Sequence, residues 1–141
     1  MQREFERGRV LMGRLETDDD LIPGLLKIVK KRGIEAGKVS AIGALQKARI
    51  SYYHQERQEY QVMDFNQHLE IIGLEGNISL KDGEPIIHAH ISLGDEEGKL
   101  FGGHLEEGTV VFACEYVIEE LKGETFHRGV HQRTGLPLWM E

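Results

Sequence analysis

Two turn signals, Asp82-Gly83 and Asp95-Glu96-Glu97-Gly98, bracket the apolar run Ile86 to Leu93. Between them that run reads as the middle strand of an antiparallel meander. A two-residue turn at Asp82-Gly83 sets Lys81 against Glu84. Counting outward then places Asn77 across from His88 and Glu75 across from His90. Asp95 to Gly98 fits a type I turn with Gly98 left-handed, a three-residue loop closed by a G1 bulge. That register pairs Asp95 with Lys99 and His90 with His104, unless Gly102-Gly103 adds a bulge and shifts it by one.

The rest of the chain is mostly strand as well. Val110, Phe112, Cys114, Tyr116 and Ile118 alternate with Val111, Ala113, Glu115, Val117 and Glu119, which gives the segment one apolar face. A helix from Glu115 to Leu121 would also stop at Gly123, but β-branched and aromatic residues favour a strand. Val39 to Tyr53, Gln61 to Phe65, Leu69 to Leu80 and Lys99 to Leu105 are further strands, and Gly43, Gly73 and Gly76 within them mark bulges or close backbone approaches.

One helix is legible. Leu21, Ile22, Leu25, Leu26 and Val29 recur at helical spacing after Thr17-Asp18-Asp19-Asp20, where one acid is expected to cap the helix. Pro23 sits in the first turn, Lys27, Lys30, Lys31 and Arg32 load the far end, and Gly33 stops it. The expectation is a single α+β domain over residues 1–141: a mostly antiparallel β-sheet with one main helix packed on it. At 141 residues, with 40% hydrophobic and 29% charged, the chain can bury a core without staples.

His88 and His90 project from one strand face, and the hairpin register brings His104 to the same face. Opposed Cβ atoms lie about 4.5–5.5 Å apart and diagonal ones about 7–8 Å, so the three imidazoles converge. Glu75 and Asn77 flank them, as a fourth ligand or as acceptors for imidazole N–H groups. Three neutral imidazoles with an open position suit zinc, and iron, nickel, copper or cobalt also accept nitrogen ligands. The plainer alternative is three half-buried histidines that serve only as hydrogen-bonding residues.

Other features carry less. His127 and His131 have helical spacing but flank Gly129 in a segment that reads as loop, and His54 and His68 have no partner in sequence. The single Cys114 excludes an intrachain disulfide and falls on an apolar strand face, as a small core residue does. There is no nucleophile elbow, phosphate loop or dinucleotide fingerprint. A net charge of -7 argues against gripping nucleic acid by bulk electrostatics. No signal-peptide or membrane-length apolar run is present, so a cytoplasmic location with no membrane partner is expected.

Several segments occur together in order: Gly37-Lys38-Val39-Ser40-Ala41-Ile42-Gly43-Ala44-Leu45, Leu74-Glu75-Gly76-Asn77-Ile78-Ser79, and Asp82 through His90. Gly102-Gly103-His104-Leu105 and Thr134-Gly135-Leu136 follow. From about Gly8 to Leu138 the chain resembles the plants-and-prokaryotes conserved (PPC) domain, which stands alone in bacteria and archaea and follows AT-hooks in plant nuclear proteins. The resemblance implies an α+β domain, a homotrimer, a metal on His88, His90 and His104, and a DNA-binding label. The AT-hook core Arg-Gly-Arg-Pro is absent; Arg7-Gly8-Arg9-Val10 comes nearest.

Three readings of function follow: an oligomeric metal-binding domain with a regulatory or DNA-associated role, a small metal-dependent enzyme, and a direct DNA binder. A cupin-like barrel is a variant of the second, since His88-x-His90 with Asp95 loosely imitates a first cupin motif, but the later histidine motif has no counterpart. An enzyme needs a base near the open position, and the register offers Glu75. The first reading is favoured. Direct DNA binding by the isolated chain is not expected, and no residue pattern names a small-molecule ligand or substrate.

Overall fold

The computed structural model describes residues 1–141. Strands β1 (Glu6–Leu15), β2 (Gly37–His54), β3 (Glu59–Phe65), β4 (Leu69–Lys81), β5 (Glu84–Gly94), β6 (Leu100–Leu105), β7 (Val110–Lys122), β8 (His127–Val130) and β9 (Pro137–Met140) form one sheet, with the single helix α1 (Leu21–Arg32) between β1 and β2. All pairings are antiparallel except a short parallel contact of β4 with β8. The α+β expectation holds.

The long strand β2 organises the sheet. Its first half pairs with β7 on one side and β4 on the other, and its second half pairs with β6 and β3. Because β4 pairs with β5 and β5 with β6, the ladder β2–β4–β5–β6 returns to β2 and closes on itself. Closure gives the sheet an inner and an outer face. Val39, Leu74, Ile78, Ile91, Leu105 and Ile118 point inward and are almost fully buried. Leu21, Leu25 and Val29 of α1 cover this core and have no exposed surface, as the helical spacing predicts.

Both hairpins adopt the expected registers. Asp82 (φ 53°) and Gly83 (φ 81°) form the turn, and Lys81 faces Glu84, Asn77 faces His88 and Glu75 faces His90. Both positive φ values are those of a type I′ turn. At the next turn Gly98 has φ 78°, the Asp95 and Lys99 backbones are hydrogen-bonded, and His90 faces His104 with no slip. Gly102 and Gly103 therefore add no bulge. They let β6 come close on both sides, since a Cβ on Gly102 would lie 2.2 Å from the Ile91 carbonyl and one on Gly103 2.7 Å from that of Ser51.

Four features differ from the sequence reading. First, no acid caps α1: Asp20 occupies the N-cap, but its side chain accepts from the Gly108 backbone N–H at 2.6 Å, and the Leu21 N–H donates to the Thr109 carbonyl. The carboxylate ties the helix start to the β6–β7 loop instead. Second, Phe112 is 61% exposed while Val111 is buried. Ala44 faces Ala113 and Leu45 faces Val111, so Phe112 is the extra residue of a bulge, and one extra residue reverses the facing of what precedes it. Third, His127 lies in the strand β8 and not in a loop. Fourth, β1 carries two glycines, three of its first four residues are arginine or glutamate, and it is an edge strand on β7 that no alternation announced.

Candidate metal centre

The closed ladder turns alternate residues of β5 outward, and this places His88 and His90 on the outer face while Ile87, Ala89 and Ile91 enter the core. His104 joins them from β6, directly across from His90. Ring centroids are 5.3 Å apart for His88 and His90, 5.1 Å for His88 and His104, and 5.6 Å for His90 and His104. One nitrogen from each ring can be chosen so that all three lie within 4.8 Å of one another. Zinc–nitrogen bonds of about 2.0–2.1 Å call for a tighter set than this.

None of the three imidazoles hydrogen-bonds to the chain; the histidines that do are His54, with Gln61, and His131, with Thr134. The plain hydrogen-bonding role therefore has no partner here. Burial pushes the His88 pKa down to about 4, helped by the Arg128 charge and then by His104 and His90. Burial also lowers that of His104, opposed by Glu106. Neutral imidazoles at ordinary pH are the form that donates a lone pair to a metal. The donor set, three imidazole nitrogens with His90 open to solvent, fits a divalent transition metal.

Glu75 and Asn77 stand where the register puts them, but their polar atoms are engaged elsewhere. Glu75 pairs with Lys38 at 3.0 Å, and Asn77 Oδ1 accepts from Arg128 Nη2 at 2.7 Å. Neither hydrogen-bonds an imidazole. Arg128 comes from β8 and also donates from Nε to Ser79 Oγ (2.9 Å) and from Nη1 to the Pro137 carbonyl (2.8 Å), with its guanidinium over the Trp139 ring.

On the other side Tyr60 of β3 packs on His104, with ring centroids 5.3 Å apart, and Tyr53 packs on Tyr60. Ser51, across the ladder from His104, donates to Glu106 at 2.6 Å. Arg128, Tyr60 and Glu106 lie outside the β4–β5–β6 meander, and no local pattern in the sequence points to them.

Two clefts open on the surface. One of about 420 Å³ touches the centre through Glu75 and Asn77 and runs under Phe5, Phe126 and Trp139. Another of about 300 Å³, near His68 and Phe112, is not part of the centre. Cys114 is buried, and burial raises its pKa to about 11, as befits a core residue.

Comparison with known proteins decides the family. Residues 2–122 match the Plants and Prokaryotes Conserved (PCC) domain. The chain belongs to this family.

Two solved structures show how closely the Plants and Prokaryotes Conserved fold is kept. A metal-containing protein from Archaeoglobus fulgidus is 42% identical with a TM-score of 0.95, all of each chain being covered. A plant- and prokaryote-conserved protein from Pyrococcus horikoshii is also 42% identical, with a TM-score of 0.94 over 100% of this chain and 97% of that one. A candidate DNA-binding protein from Bacteroides thetaiotaomicron shares the fold at 23% identity and a TM-score of 0.87, over 96% of each chain. Among curated sequences, the bifunctional protein GlmU of Synechococcus sp. strain JA-3-3Ab is 30% identical over 90% of this chain. The chain spans about one-fifth of the length of that relative. No helix is long and apolar enough to cross a membrane.

Proposed function

We propose that this protein is an oligomeric metal-binding domain with a regulatory role, in which His88, His90 and His104 hold one divalent transition metal. The observation that carries this reading is the convergence of three imidazoles within 4.8 Å with no hydrogen-bond partner in the chain. The 42% identity to a protein described as metal-containing supports it. Zinc is the metal we expect, because three neutral imidazoles with a free position are a familiar zinc environment. When bound, the metal supplies a Lewis-acidic point at the outer face of the sheet.

The assembly we propose is a homotrimer. Support comes from exposed apolar side chains on β1, β2 and β4: Met12 (80% exposed), Ile42 (57%) and Ile72 (53%). Large apolar side chains left in water on a small domain favour association with a further copy. Any association with DNA then runs through partners and not through the chain's own charge of -7.

A metal-dependent enzyme is the second reading. The open position favours it, while the ion pair of Glu75 with Lys38 ties up the base that the ladder offers.

Elemental analysis of purified wild type and His90→Ala tests the metal. We expect one metal per chain in the first and a loss of most of it in the second; equal content in both contradicts the assignment. Light scattering tests the assembly, since a mass near the 16.0 kDa of one chain contradicts the trimer.

A further inference from the structure

We infer that the centre takes a small oxyanion, a carboxylate or a phosphate, and that Arg128 is the residue that holds its charge. This rests on the reading of the three histidines as a metal site, and the experiment below separates the two.

Arg128 has no carboxylate partner, unlike most arginines of the chain. Arg3, Arg7, Arg9, Arg14, Arg49 and Arg57 each pair with an aspartate or glutamate within 4 Å. Arg128 does not, although it is partly buried, whereas the other two unpaired arginines, Arg32 and Arg133, are exposed. A guanidinium withdrawn from water normally needs an anion or a full set of acceptors. Arg128 has neutral acceptors only: Ser79 Oγ, the Pro137 carbonyl and Asn77 Oδ1. Those contacts use three of its five N–H donors and leave two free.

Position gives this free capacity its use. Asn77 stands directly across the ladder from His88, so the guanidinium bonded to its side chain lies one residue away from the imidazole cluster. No nearby carboxylate pairs with Arg128. Glu75 is matched by Lys38, and Glu106, which accepts from the Ser51 hydroxyl on the far side of His104, acts on His104. A divalent metal on three neutral imidazoles beside an uncompensated guanidinium makes a strongly positive, partly desolvated spot. A planar or tetrahedral oxyanion can place one oxygen on the open metal position and offer others to the arginine fork.

Arg128 is also well braced. Its three bonds and the Trp139 ring fix the guanidinium before any ligand arrives, which lowers the ordering cost of binding. Lysine could not replace it, because one ammonium cannot brace against three acceptors and still present a two-pronged donor.

The test is isothermal titration of oxalate and, separately, inorganic phosphate into chelator-stripped and zinc-loaded protein, for wild type, Arg128→Gln and Arg128→Lys. Zinc affinity is measured for each in parallel. We expect zinc-loaded wild type to bind at least one probe, with oxalate or phosphate preference naming the ligand class. Both variants should weaken that binding tenfold or more while holding zinc within about threefold of wild type. If Arg128→Gln fails to fold, Arg128→Lys carries the comparison. Should the protein take up no zinc, yet stripped wild type bind a probe that the variants do not, the metal reading fails and the anion site stands. Binding unchanged in the variants, no binding of either probe by wild type, or a parallel loss of zinc in the variants overturns the proposal.

Discussion

Arg128 donates a 2.7 Å hydrogen bond to Asn77, and Asn77 faces His88 across the β4–β5 ladder. Together with the Ser79 hydroxyl, that amide fastens the short C-terminal hairpin to β4, the strand beside the histidine-bearing β5. Asn77→Ala removes an acceptor from a guanidinium, an interaction of about 1.5–3 kcal/mol when the donor is charged. We expect a loss near the lower figure, because Arg128 keeps Ser79 and Pro137 as acceptors. Amide exchange should quicken in residues 127–140 while β5 and β6 stay protected. Uniform exchange across both regions would contradict the fastening.

Gly102 is the second point of leverage. A Cβ there would meet the Ile91 carbonyl at 2.2 Å, a contact that only backbone movement can relieve. Gly102→Ala should destabilise the fold by about 1–3 kcal/mol, as overpacking does. It should also weaken metal binding, since the displaced strand carries His104 two residues on. Gly98→Ala provides the contrast: it has φ 78° but open space around it, so it strains the turn without pressing on β5. Denaturant midpoints and zinc titrations of both variants check this. Equal zinc loss in the two would contradict a specific role for Gly102.

Acid stability should follow Glu120. Its side chain, 11% exposed, accepts from the Arg9 Nε and backbone N–H, and these bonds lower its pKa from 4.5 to about 2. Between those values the unfolded chain takes a proton that the folded one refuses. The contribution is therefore complete above about pH 4.5 and is lost as pH falls through about 2. Glu120→Gln should be less stable than wild type at neutral pH by about 1–2 kcal/mol, since Arg9 is half exposed. The difference should shrink in strong acid. Urea midpoints of both proteins from pH 7 to pH 2 give the answer; a constant gap would rule out the ionised pair.

Duplex DNA should bind weakly and without sequence preference. The basic stretch from Lys27 to Lys38 does not form one surface, because Lys30 pairs with Glu84 at 2.9 Å and Lys38 lies on the outer face with Glu75, away from α1. A salt titration with a random duplex should find little binding at physiological salt. Changing Lys30, Lys31 and Arg32 to Glu should alter it little. Tight binding with a steep salt slope that the triple variant loses would restore a direct role in DNA recognition.

Where a residue's neighbours lie close in sequence, the sequence identified them. The turn at Asp82-Gly83 placed Glu75 and Asn77, and the G1 loop at Gly98 placed His104 across from His90, because short turns transmit register rung by rung. Gly43 and Gly73 do lie at register shifts, and Gly76 does meet a neighbouring backbone, the His88 carbonyl. The hydrogen-bond partners of Glu75 and Asn77 were not legible, since Lys38 and Arg128 reach them from β2 and β8. Phe112 defeated the alternation rule because one bulged residue changes which side faces the core. β1 is not legible in the sequence because its strand character comes from the β7 edge it joins, not from its own residues.

That last pairing also bears on how the chain folds. Glu6 of β1 meets Lys122 of β7, so the two ends of this ladder are more than a hundred residues apart and cannot pair until nearly all of the chain is present. The β4–β5–β6 meander closes over turns of a few residues and has the lower entropic barrier. On a growing polypeptide the three histidines are therefore assembled by the part that can order first, while the edge strand β1 must wait with Leu11 and Leu15 out of the core. A chain released with β7 cut short would keep its imidazole cluster and leave β1 an unpaired strand with Leu11 and Leu15 exposed.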